Sequence, residues 1–76
     1  MNKQEIVKMV ETYIGKDADV CTSATGNLVI EANWTTNALY YNYFVELFKR
    51  PHYGARIKYA GMNNQTYRVT FIFEAV

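Results

Sequence analysis

Seventy-six residues make one small domain, half of it apolar in the wide sense and 16% aromatic, so the composition excludes intrinsic disorder and requires a packed core. Eight Lys or Arg stand against seven Asp or Glu, which excludes an overall basic field that would draw the chain onto nucleic acid or anionic lipid. The single cysteine, Cys21, excludes an intramolecular disulfide framework and fits a reducing compartment, with the cytoplasm as the expected location.

The opening segment is charged and periodic, without an apolar run long enough for a signal peptide or a membrane span, so the chain reads as a complete, soluble, short open reading frame. From Lys3 to Ile14, the residues Ile6, Val7, Val10, Tyr13 and Ile14 share one face and Glu5, Lys8, Glu11 and Thr12 the other. This pattern predicts an amphipathic helix, with Gly15 as its stop. Ala18–Ser23 and Leu28–Trp34 alternate as strands, and Ala24-Thr25-Gly26-Asn27 between them has the chemistry of a hairpin turn. Leu28, Ile30, Ala32 and Trp34 form the expected inward set.

Thr36–Arg50 predicts a second helix, capped by Thr35 or Thr36 and ended by Pro51, which disfavours helical geometry in the residue before it. Ala55–Ala60 and Thr66–Ala75 alternate again around the turn Gly61-Met62-Asn63-Asn64, with Ile57, Tyr59, Tyr67, Val69, Phe71 and Phe73 expected inward. The order is α-β-β-α-β-β. Its simplest fold is α+β, a four-stranded antiparallel sheet with both helices packed on one face. Each half is a helix followed by a hairpin, and the fragments MVETYI and FVELFK, then VIEA and IFEA, recur at comparable places. Internal duplication and convergence on the same patterning both account for them.

The second helix carries more apolar surface than one core needs. Tyr41, Phe44, Val45 and Phe48 share a face, and Tyr40, Tyr43 and Leu47 widen it to an arc of about 200°. Leu39, Tyr40, Tyr43 and Leu47 are the candidate protein-binding residues, because the core-facing arc is full without them and tyrosine suits interface hot spots. Packing between the two helices is the other use for them.

No motif for catalysis, metal binding, nucleotide binding or any cofactor is present. One histidine and one cysteine cannot assemble a four-ligand zinc site without carboxylates or a second subunit. A Cys21/His52 catalytic pair lacks any neighbour that would lower the thiol pKa, and Asp19 would raise it. The glycines stand singly in turns, with no phosphate-cradling run. The alternative site is a nucleic-acid surface built from Lys49, Arg50, Arg56, Lys58 and Arg68, with His52 nearby. Strand parity counts against it, because it sends Tyr59 and Tyr67 to the face opposite Arg56, Lys58 and Arg68. Further contact routes are the uncovered sheet face, where Cys21, Val29 and Ile72 interrupt the charges, and the two sheet edges.

A short chain rich in Tyr, Phe and Asn, without signal, metal or catalytic motif and with compact α-β-β-α-β-β patterning, resembles the accessory proteins that bacteriophages and mobile elements encode against host machinery. Anti-CRISPR and anti-restriction inhibitors are of this type. The resemblance implies a non-catalytic protein that blocks a host defence or core protein by stoichiometric binding. Many nucleic-acid mimics of this type are strongly acidic and this chain is not, which favours a direct protein block. The expected partners are a second copy of the chain, as a homodimer, and a host protein.

Overall fold

The computed structural model describes residues 1–35 and 37–76. Its elements follow the expected order: α1 (Lys3–Tyr13), β1 (Gly15–Thr22), β2 (Leu28–Trp34), α2 (Ala38–Phe48), β3 (Ala55–Asn63) and β4 (Arg68–Ala75). All strand pairs are antiparallel, in the order β1-β2-β4-β3. The two hairpins thus join through their second strands, and the order is symmetric about the β2/β4 pair. The equivalent positions of VIEA and IFEA, Val29 and Ile72, sit directly opposite each other at that junction.

Both helices lie on one face of the sheet, α1 against β1 and β2 and α2 against β3. Between the layers, Ile6 and Val10 of α1 and Phe44 and Phe48 of α2 meet Leu28, Ile30, Ala32, Val69, Phe71 and Phe73 from the central strands. Among the described residues no polar side chain is buried in that core, so its cohesion is apolar burial and ring packing. Phe44 and Phe71 lie 4.9 Å apart, and Phe48 meets Phe73 edge-on at 5.0 Å.

Asn2 caps α1 by accepting from the Glu5 amide. In α2 the cap is neither expected threonine: Asn37 accepts from the amides of Leu39 at 3.0 Å and Tyr40 at 3.3 Å, and the helix begins at Ala38. Thr36 lies outside the described residues. Asparagine takes the position because its short amide reaches two free N–H groups at once. Asn37→Ala is expected to lower stability by about 1 kcal/mol, read as a shifted urea midpoint with an unchanged slope; an unchanged midpoint would show that the cap is dispensable.

Three further expectations are refined or corrected. Gly15 does follow the end of α1, after the C-cap Ile14, but it is no turn residue: it is already the first residue of β1, paired with Trp34. Tyr59 does not face the core. The β3/β4 register shifts between Ile57 and Tyr59, making Lys58 an extra residue, so Tyr59 pairs with Ile72 on the uncovered face while Ile57 and Ala60 face inward against Phe73 and Phe71. Tyr67 lies outside β4 with a left-handed φ of 57° and is exposed. Its turn is held by Asn63, whose side chain accepts from the Gln65 and Thr66 amides.

Candidate protein-binding groove between the helices

α1 and α2 touch only lightly, and an open groove of about 310 Å³ runs between them. Met9 and Tyr13 of α1 form one wall, Tyr40, Tyr43 and Leu47 of α2 the other, and Phe44 lies at the base. The helical repeat explains the set: Tyr40, Phe44 and Leu47 are spaced i, i+4, i+7, and Met9 and Tyr13 are spaced i, i+4. Every one of these side chains is uncharged. Tyr43 is 65% exposed, Tyr40 51% and Tyr13 53%, so the groove carries its aromatic surface on the outside of the molecule.

Of the four residues singled out from sequence, the structure brings together Tyr40, Tyr43 and Leu47. Leu39 is also exposed, at 56%, but lies outside the groove lining. Sequence reasoning missed Met9 and Tyr13. Tyr13 was assigned to the core face, yet it stands at the last turn of α1, where the light contact with α2 leaves its ring in solvent. The signal was available in the surplus on α2, since an unfilled aromatic arc on one helix implies a wall on its neighbour.

Other depressions differ in lining and size. A wider one of about 600 Å³ between α1 and β1 is rimmed by Lys3, Lys8 and Glu11, with Val7 and Val20 as its apolar part. A pocket of about 250 Å³ lies between Trp34, Ala38, Tyr41 and Met62. The Tyr41 hydroxyl there is held above its usual pKa, first by burial and second by the nearby Tyr59 phenol. Its phenol therefore stays neutral and contributes no charge to that side of the helix layer near neutral pH.

The cations of the alternative site are largely committed to carboxylates. Arg56 donates from Nε and Nη2 to Glu74 Oε1 at 3.2 and 3.0 Å. Arg68 reaches Asp19 at 2.9 Å and donates to Asn33 Oδ1 at 2.9 Å, with Glu31 at 3.9 Å. Lys49 pairs with Glu46 at 2.6 Å. Tyr59 does share a face with Arg56 and Arg68, contrary to the parity argument. Phosphates would nevertheless have to displace Glu74, Asp19 and Glu31, which opposes the reading on charge rather than parity.

Cys21 lies on edge strand β1, whereas His52 sits in the turn before β3, at the other edge of the sheet. His52 Nδ1 lies 3.1 Å from the Arg50 carbonyl, and its ring stands edge-on to Phe48. The two are therefore not brought together as a nucleophile and base. Among the described residues no three His, Cys, Asp or Glu side chains converge as metal ligands, and no helix is long and apolar enough to cross a membrane. Comparisons with protein-family models, with curated proteins and with solved structures found no match to this chain.

Proposed function

We propose that this protein acts by binding another protein, with the groove between α1 and α2 as its contact surface and Tyr43 and Leu47 at the centre of the contact. The observation that carries this reading is the uncharged wall of Tyr13, Tyr40, Tyr43 and Leu47 standing in solvent around a groove floored by Phe44. Aromatic side chains of this kind lose little conformational entropy when ordered and gain much from desolvation. The resemblance to small phage-encoded inhibitors supplies the mode of action: stoichiometric occlusion of a host defence or core protein in the cytoplasm, without catalysis.

The test is affinity capture from nuclease-treated bacterial lysate with tagged protein, alongside the Tyr43→Glu/Leu47→Glu variant. Both positions are exposed, so melting should move by only a few degrees. Capture of a single host protein by the wild type and its loss by at least about 100-fold in the variant is the expected result, because two carboxylates would be desolvated in an apolar contact. Equal capture by both proteins would remove the groove from consideration. Capture that is seen only when the nuclease is omitted, and that falls steeply with salt, would favour the nucleic-acid alternative instead.

A further inference from the structure

The face of the sheet opposite the helices is open, and its register builds a row that no single strand displays. Cys21 pairs with Val29, Val29 with Ile72, and Ile72 with Tyr59. One apolar or aromatic side chain per strand therefore crosses the sheet from edge to edge. The bulge at Lys58 completes the row, since without the extra residue Tyr59 would point into the core. The Tyr59 ring lies over Gly61, where an added Cβ would come within 2.9 Å of Cζ. The ring is thus laid down along the face.

Charge divides the same face into two halves. β1 and β2 place Asp17, Asp19 and Glu31 against Lys16, a net negative half; β4 and β3 place Arg56, Lys58 and Arg68 against Glu74, a net positive half, with Arg68 bridging the two through Asp19 and Glu31 of its own chain.

We infer that a second copy of this chain covers this face, in a twofold dimer whose axis lies in the interface parallel to the strands. That operation sets β1 over the partner's β3 and β2 over the partner's β4. Tyr59 then meets the partner's Cys21, and Ile72 meets the partner's Val29, a larger side chain against a smaller one at each crossing. The negative half of each copy faces the positive half of the other. A twofold axis across the strands would instead set each strand over its own copy, the net negative half over a negative half and the net positive half over a positive one, so charge selects between the two arrangements. Four strands at about 4.8 Å spacing and seven to nine residues long give a face of roughly 20 by 25 Å. Pairing two such faces buries roughly 1,000 Å² or more, the lower bound for a specific contact.

Edge-to-edge association into a continuous sheet is opposed by the strands themselves. β1 breaks register between Lys16 and Asp19, with Asp17 at a left-handed φ of 56°, and β3 breaks at Lys58. A bulge with a charged residue on each edge interrupts the ladder that a second chain would extend. The face-to-face dimer leaves both helix layers on the outside, with one groove free on each side, so it does not depend on the groove's function.

Sedimentation equilibrium over about 1–200 µM tests the proposal with three proteins. The wild type and Tyr43→Glu/Leu47→Glu are expected to dimerise, and Ile72→Lys to stay monomeric throughout. A monomeric wild type overturns the proposal, as does a dimer that survives Ile72→Lys but is lost in the helix variant. Should Ile72→Lys fail to fold by circular dichroism, crosslinking decides. In Tyr59→Cys, the new thiol lies three strand spacings, about 14 Å, from Cys21 in the same chain but about 10 Å from the partner's Cys21 across packed sheets. A short bis-maleimide should give a covalent dimer in Tyr59→Cys and none in the wild type. Absence of that band overturns the proposal.

Discussion

Phe48→Ala is expected to cost about 3–5 kcal/mol, in the top range for truncating a single buried side chain. The ring is fully buried and lies within 5.1 Å of Phe44 and 5.0 Å of Phe73, with His52 and Tyr53 closing its far side at 6.0 and 6.5 Å. Removing it deletes apolar contacts with both layers and with the turn that leads into β3. Rigid rings border the site on several sides, which limits collapse into the space. A domain of this length has roughly 4–11 kcal/mol in total, so the loss takes about a quarter of it or more and should lower the urea midpoint in proportion. Phe48→Leu, which keeps most of the volume, should lose only about 1–1.5 kcal/mol. Equal losses in the two variants would mean that the aromatic cluster contributes nothing beyond bulk hydrophobicity.

The same helix connects stability to the proposed contact. Phe44 is 4% exposed, belongs to the core and forms the base of the groove. Its neighbours on one side, Tyr41 and Phe48, pack onto the sheet, while Tyr40, Tyr43 and Leu47 face out. The position of the outer wall is therefore set by the packing of the inner one. A rigid aromatic wall on a helix is better preorganised for binding than the same residues on a loop.

That division was legible before any coordinates. Period 3.6 over the second helix leaves an apolar arc too wide for one core, and the residues at its margin, Tyr40, Tyr43 and Leu47, are the ones in solvent. Alternation likewise identifies Leu28, Ile30, Ala32, Val69, Phe71 and Phe73, all now buried. What alternation cannot carry is a break in its own period. Lys58 is one residue too many for the register with β4, and nothing about Ile57-Lys58-Tyr59 marks it as a bulge, so strict alternation puts Tyr59 on the wrong face. Tyr67 failed for a different reason: a left-handed φ on a bulky residue is imposed by the turn around Asn63, not by local preference. Asn37 was passed over for threonines that cap helices by the same chemistry, which left the helix start uncertain by two residues. Tyr13 sits on a helix margin, where inside and outside depend on how closely the next helix packs.

Gly15 carries the second large effect, and its reason is a close approach rather than a turn. α1 runs into β1 with no connecting loop: Tyr13 ends the helix, Ile14 caps it through its N–H to the Val10 carbonyl, and Gly15 already pairs with Trp34. The Ile14 carbonyl then accepts from the Thr35 amide at 3.1 Å, which ties the helix end to the end of β2. At this junction the β2 backbone passes so near that a Cβ on residue 15 would overlap the Asn33 carbonyl oxygen and stand 2.8 Å from its carbon. Backbone held in a central strand cannot yield as a side-chain tip can. Gly15→Ala should therefore cost about 3 kcal/mol or more, at the upper end of overpacking effects. It should also open the β1/β2 ladder from the Gly15 end, read as faster amide exchange at Gly15 and Lys16 than at Cys21 and Thr22. Gly61→Ala is the contrast, because the atoms nearest its Cβ are the far end of the Tyr59 side chain, which can swing aside for less than about 1 kcal/mol. If the two substitutions cost the same, the close approach of β2 to Gly15 does not set the junction.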